Sequence, residues 1–275
     1  MKIAYCSDVH IEFGPVSIKN TENADVLILA GDIIVASSLF QRRSVEIPED
    51  DYEMTDFYHQ FFQQVCSEFK KVIYIMGNHE HYRGDFVNTY NRLKEFLGYF
   101  HNLHIMEKES ITIDEVTFIC GTMWTDFSNN DPISKWDIGK LMNDFRVIDN
   151  SNRRTAGYKI GKFNTEDAYQ DHLKFLDYAI PLLDQHKNIV MVTHHGPSYL
   201  CIPEKYKGNT KQNPGYVSNL TNLILDNPQI KAWVCGHSHC RIDEMIGSTR
   251  LLMNCRGYID SESMAYTFEI KYFEV

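Results

Sequence analysis

Five short apolar runs in this chain each break off into a side chain able to bind a metal, and that recurrence constrains the fold more than any other feature. Residues 3–6 lead into Ser7-Asp8-Val9-His10, residues 26–30 into Gly31-Asp32, and residues 72–76 into Gly77-Asn78-His79-Glu80. Residues 189–193 lead into His194-His195, and residues 232–235 into Gly236-His237-Ser238-His239. Runs of Val, Ile, Leu and Tyr with such breaks read as buried strands. In open α/β sheets ligands bind outside the carboxyl ends of the strands, so residues distant in sequence can share one crevice there.

Each motif alone has a plainer explanation. D-x-H arises by chance about once in a chain of this size, and Gly31-Asp32 suits an ordinary strand-to-turn connection. Gly77-Asn78-His79-Glu80 has a chance expectation well below about one in a hundred. His237 and His239 could be edge-strand residues facing solvent, and Cys235 and Cys240 beside them raise a Cys/His zinc knuckle, for which the cysteine spacing is wrong. Together, in order and always at a strand end, the motifs outweigh these alternatives. Residues i and i+2 of an extended segment share a side, which predicts that Asp8 converges with His10 and His237 with His239. Imidazole and carboxylate donors suit Mn, Fe, Zn or Co.

Further apolar runs at 116–120, 251–254 and 266–272 read as strands, and returns of apolar residues every three or four positions predict helices at 55–69, 86–100 and 166–183. Alternating strands and helices imply sheets covered by helices, in one domain spanning 1–275. Two polar stretches, 37–51 and 128–163, fit neither pattern and read as surface loops or lids inserted in that domain.

Composition narrows the function. The formal net charge of −10 opposes general duplex binding by counterion release. The longest apolar stretch is broken by Gly31-Asp32, well short of the roughly 18 residues that span a bilayer. Asp8 precedes any room for a secretory h-region. Seven scattered cysteines without a C-x-x-C pair read as reduced thiols of a cytoplasmic protein.

The order D-x-H, G-D, G-N-H-E, H, G-H-x-H, running from Asp8 to His239, resembles the calcineurin-like metallophosphoesterase superfamily, its small bacterial or phage-type phosphoesterases above all. The resemblance implies a four-layer α/β/β/α sandwich with mixed sheets flanked by helices. It also implies two divalent ions, manganese being the first choice in vitro and Fe, Zn, Ni or Co the others. Asp8, His10, Asp32 and His239 would hold one ion, and Asp32, Asn78, His194 and His237 the other, Asp32 bridging. The protein phosphatases of that superfamily continue the second motif as G-D-x-x-D-R-G, whereas here Ile33-Ile34-Val35-Ala36 follows. The Asp that would orient the catalytic His and the Arg that would bind phosphate are therefore missing, and the partner of His79 is open.

The expected activity is hydrolysis of a small phosphoester, monoester or diester, a nucleotide being one candidate, by in-line attack of a hydroxide bridging the two metals. Asp32 and His79 are the catalytic residues, His79 protonating the leaving alkoxide or stabilising the transition state. His195 and Arg83 are candidate substrate contacts, with Arg153 and Arg154 as further cations. Trp124 and Phe127 are candidates to stack on a base, core packing being the alternative, and His81 and Tyr82 could also face the site. The rival readings are a non-catalytic scaffold of the same fold, which would be expected to lose ligands, and a metal-dependent nucleic-acid-binding module.

Overall fold

The computed structural model describes residues 1–39, 49–155, 157 and 159–275. The strands are, in chain order, β1 (Lys2–Cys6), β2 (Val26–Ala30), β3 (Lys71–Ile75), β4 (Leu103–Met106), β5 (Glu109–Ile113), β6 (Val116–Gly121) and β7 (Asp149–Arg154). They continue with β8 (Ile160–Lys162), β9 (Ile189–Thr193), β10 (Ile230–Cys235), β11 (Arg241–Ile246), β12 (Thr249–Asn254) and β13 (Lys271–Glu274). One sheet has the order β13-β1-β2-β3-β4, with β1 to β4 parallel and β13 antiparallel to β1. The other has the order β11-β12-β10-β9-β6-β5, its inner strands parallel and its two edges antiparallel.

Burial of both faces explains why the inner strands read as continuous apolar runs. Ile3, Tyr5, Ile28 and Ile73 of the first sheet pack on Phe118, Val190, Val234 and Leu252 of the second, forming the middle of the molecule. The outer face of the first sheet is covered by the helix Glu49–Glu68 through Tyr58, Phe62 and Val65. The outer face of the second is covered by the helix Thr165–Leu183, which buries Phe175, Ala179 and Leu183 against it at helical spacing. A capping box starts that helix: Asn164 accepts from the Asp167 amide while Asp167 accepts from the Asn164 amide. Helix, sheet, sheet and helix stack in the expected four layers.

Several local expectations change. The helix foreseen over 86–100 shortens to Thr89–Leu97, since residues 85–88 form a turn in which the Asn88 amide donates to the Asp85 carbonyl. The strand foreseen over 266–272 is a 3-10 turn, Ser263–Thr267, followed by β13, and Tyr266 lies exposed, bonded to Asp260. The stretch 128–163 is not a loop. It folds into the helices Pro132–Leu141 and Asp144–Val147 and the β7–β8 hairpin. Asp131 caps the first of these through the Ser134 amide, and Pro132 opens it. That helix leaves Ile133 and Trp136 exposed, so it carries no apolar stripe for periodicity to detect. Of the stretch 37–51, residues 40–48 lie outside the described residues. Among the described residues no helix is long and apolar enough to cross a membrane.

Candidate metal centre and active site

The carboxyl ends of β1, β2, β3, β9 and β10 meet at one edge of the two sheets. Backbone pairing locks the connecting loops together there: the Asp8, His10 and Ile11 amides donate to the carbonyls of Gly31, Asp32 and Ile33, and the Gly236 amide to that of His194. Asp8 and His10 do converge, as do His237 and His239, but not by the alternation of an extended strand. Asp8 (φ 49°), His10 (φ 46°), Asp32 (φ 55°), His237 (φ 70°) and His239 (φ 45°) are all left-handed. Non-glycine residues hold that conformation only where surrounding contacts over-determine it, and such strain collects at functional sites.

Glycine permits the close approach. A Cβ on Gly77 would overlap the Asp32 carboxylate and come within 2.7 Å of His194 Cε1. Gly31 (φ +85°) is the left-handed glycine that its turn requires, and a side chain there would strike His194 Nδ1.

Among the described residues three groups bring metal-binding atoms within 4.8 Å of one another: Asp8, His10 and His239; Asp32, His194 and His237; and His10, Glu12 and His79. Asp32 lies between the first two, its Oδ2 3.8 Å from His10 Nε2 and its Oδ1 3.4 Å from His194 Nε2. Asn78 joins the second group, its Oδ1 3.1 Å from His194 Nε2. His10 Nε2 and His239 Nε2 face each other at 3.2 Å, and the buried His237 Nε2 has no hydrogen-bond partner. Opposed imidazole nitrogens, an orphaned buried nitrogen and two carboxylates with no thiolate among them fit oxygen- and nitrogen-preferring divalent ions.

The far side of most candidate ligands is also occupied, as metal-binding imidazoles require. His10 Nδ1 lies 3.2 Å from Glu12, His194 Nδ1 2.9 Å from the Ala30 carbonyl and His239 Nδ1 2.6 Å from Glu262. Asn78 donates from Nδ2 to the buried Asp144 at 2.7 Å, which aims its Oδ1 toward His194. Asp8 accepts the His237 amide at 3.0 Å, and Asp32 accepts the His79 amide at 2.8 Å. Glu80 accepts from the amides of Gly77, Asp32 and Ile33 and from the Tyr74 hydroxyl, pinning the loops after β2 and β3 to each other.

Electrostatics follow from this crowding. Burial pushes the Asp8 carboxyl up, but the His239 hydrogen bond and the His194 charge outweigh it and hold Asp8 below the carboxylate range. Burial pulls His194 down, yet the Asp32 carboxylate lifts it to about 9; His239, bonded to Asp8 and Glu262, rises to about 10 in the same way. His237 drops to about 3 through burial and the charge of His194.

His79 sits above these groups with both ring nitrogens partnered. Nδ1 is 3.4 Å from Glu12 Oε1 and Nε2 is 3.1 Å from the Tyr258 hydroxyl, while the ring stacks on Tyr82 at 4.1 Å. Burial opposes its charge, but Asp32 and Glu12 raise its pKa. Glu12 is thus the carboxylate beside His79 Nδ1, where the second motif offers none. Arg256, itself buried, secures the Glu12 loop by donating to the carbonyls of Val9 (2.8 Å), Gly14 (2.9 Å) and Pro15 (2.9 Å).

A cavity of about 380 Å³ opens over Asp32, Asn78, His79, His237 and His239 and extends to the segments 141–144 and 202–216. The two expected substrate contacts do not reach it. His195 is buried between Trp124 and His237, both ring nitrogens unpartnered, and Arg83 is exposed to solvent; neither lines the cavity. Trp124 and Phe127 take the core alternative, buried with Ile138, Phe163 and Ala168. Of the pair beside His79, Tyr82 lines the cavity and His81 is buried away from it. Arg153 is engaged by Asp167, and Arg154 is exposed. Sequence reasoning missed Glu12, Asp144, Arg256, Tyr258 and Glu262. Glu12, two residues past His10, was the one among them with a motif beside it.

A sequence model of the calcineurin-like phosphoesterase family matches residues 1–241. An uncharacterized protein, L509, of Acanthamoeba polyphaga mimivirus is 27% identical over 213 residues, 72% of each chain. The phosphopantetheinyl hydrolase of Mycobacterium tuberculosis superposes with a TM-score of 0.66 at 15% identity, over 99% of this chain and 95% of that one, a likeness of fold. The family match runs through all five motifs and the clustered carboxylates and imidazoles at their ends, and the chain belongs to the calcineurin-like phosphoesterase family.

Proposed function

We propose that this chain hydrolyses small phosphoesters at a dinuclear centre. Asp8, His10, Asp32 and His239 would hold one divalent ion, and Asp32, Asn78, His194 and His237 the other. The observation that carries this reading is Asp32, whose two carboxylate oxygens face different imidazoles, His10 and His194. When bound, two such ions lower the pKa of water and neutralise phosphoryl oxygens. Manganese is the first choice for loading the protein.

The chain's own residues would do the rest. Glu12 holds Nδ1 of His79, leaving Nε2 beside Tyr258 and open to the cavity, where it can give a proton to a departing alkoxide. Tyr82 keeps the imidazole from tilting by stacking on it, and Asp144 fixes the Asn78 amide. Burial of these groups excludes bulk water from their hydrogen bonds, which strengthens them.

We read residues 1–275 as one domain, because the apolar layer between the sheets belongs to both, and the seven free thiols as those of a protein in the reducing cytoplasm. The test is hydrolysis of aryl phosphoesters by chelator-stripped protein with and without manganese. Activity should appear only with metal, and His79→Ala should lower kcat by about a hundredfold while metal content stays unchanged. Metal-independent turnover, or full turnover in His79→Ala, refutes the assignment.

A further inference from the structure

We propose that Tyr258 is a further catalytic residue, its hydroxyl passing a proton from His79 to the departing alkoxide. The proposal rests on the phosphoesterase reading and specifies how the leaving group is protonated. It follows from what the two ring nitrogens of His79 face. Nδ1 lies 3.4 Å from Glu12 Oε1, and Nε2 lies 3.1 Å from the Tyr258 hydroxyl. Tyr82 stacks on the ring at 4.1 Å. His79 is 8% exposed and Tyr258 half-buried, and both line the cavity over Asp32. A leaving oxygen above that centre therefore meets the hydroxyl on its way to the imidazole.

The chain holds that hydroxyl in place from several sides. The Arg256 amide donates to the Ser7 carbonyl and the Gly257 amide to the Asp8 carbonyl, which ties the segment before Tyr258 to the loop after β1. The Tyr258 amide donates at 2.8 Å to Glu262, the carboxylate that also engages His239. The phenol ring stands 4.6 Å from the rings of both His10 and His239. The family match ends at residue 241, so this placement belongs to the chain's own C-terminal segment.

A phenolic hydroxyl accepts on a lone pair while it donates its proton, which suits it to stand between an N–H and an alkoxide. As the bond from phosphorus to the leaving oxygen breaks, that oxygen keeps the electron pair and takes the Tyr258 O–H proton. The His79 Nε2 proton moves to the Tyr258 oxygen. His79 ends neutral, retaining the Nδ1 proton that Glu12 accepts, Tyr258 ends as it began, and a neutral alcohol departs.

The test uses matched esters of para-nitrophenol and phenol, monoesters and symmetrical diesters, on the protein saturated with manganese. Para-nitrophenolate departs unprotonated more readily than phenolate does. Tyr258→Phe keeps the ring and removes the hydroxyl. We expect it to lower kcat for the phenyl ester about tenfold more than for the nitrophenyl ester, with manganese affinity by calorimetry close to that of the unaltered protein. In the unaltered protein, kcat for the phenyl ester should fall with deuterium content along a curve that requires two protons, those of the hydroxyl and of Nε2. Equal losses on both esters, the mark of a packing role, overturn the proposal and leave the phosphoesterase reading standing. So do unchanged rates on both, or a one-proton dependence. If the unaltered protein cleaves none of the esters with manganese, that reading fails and the proposal falls with it.

Discussion

Arg256→Met should loosen the edge of the site without touching a candidate ligand. The guanidinium, 3% exposed, donates at 2.8–2.9 Å to the carbonyls of Val9, Gly14 and Pro15, on the loop that also carries His10 and Glu12. Methionine fills much of the stem's volume and strands those carbonyls. The Val9 carbonyl belongs to a fully buried residue, and leaving such an acceptor unpaired costs about 1–3 kcal/mol. Gly14 is half-buried and Pro15 exposed, so water can replace the lost donor there and each forfeits only about 0.5–1 kcal/mol. The net loss is then about 3 kcal/mol, or about 5 °C in Tm for a chain of 275 residues. Urea titration followed by tryptophan emission measures the first, and calorimetry with manganese should show weakened binding through His10. A loss below about 1 kcal/mol with manganese binding unchanged would refute the clamp. Arg256→Lys should recover only part of the loss, because one ammonium cannot span carbonyls on both sides of the loop.

Three further substitutions probe the site. Glu12→Gln should lower kcat about tenfold, and because the Glu12 charge helps raise His79, its removal moves the alkaline limb of the pH–rate profile to lower pH; an unmoved limb would mean that Glu12 does not act through His79. Asp144→Ala frees the Asn78 amide and should weaken manganese binding about 10- to 100-fold, read by calorimetry, with the fold intact by circular dichroism. Gly77→Ala drives a methyl group into Asp32 and His194 and should abolish metal retention after gel filtration while costing about 1–3 kcal/mol of stability.

What could be read from sequence was whatever burial writes into the chain. Inner strands such as β2 and β9 are buried along their whole length, and β3 from Val72 on, and they appear as apolar runs. The edge strand β5, Glu-Ser-Ile-Thr-Ile, is half-exposed, and β11 is charged, so neither stands out. The candidate ligands were legible because each follows a strand closely. Their supports were not: Asp144 lies in a four-residue helix, and Tyr258 and Glu262 lie in a connection without periodicity. Arg83 and His195 show the opposite case: both stand beside a motif along the chain, yet neither lines the cavity. The left-handed turn at Arg83 (φ 55°) and the burial of His195 behind His237 point both elsewhere.

The pairing of β1 with β13 bears on how the protein is made. Asp8 directly follows β1, yet that strand gains its outer neighbour only when Lys271–Glu274 has been synthesised. Tyr258, Glu262 and Arg256, which brace His79, His239 and the loop of His10, also come after the last candidate ligand. A chain ending just beyond His239 would hold every candidate ligand and none of these braces. A centre built on these ligands would be fully braced only once residues 256–262 are in place and β13 has paired with β1.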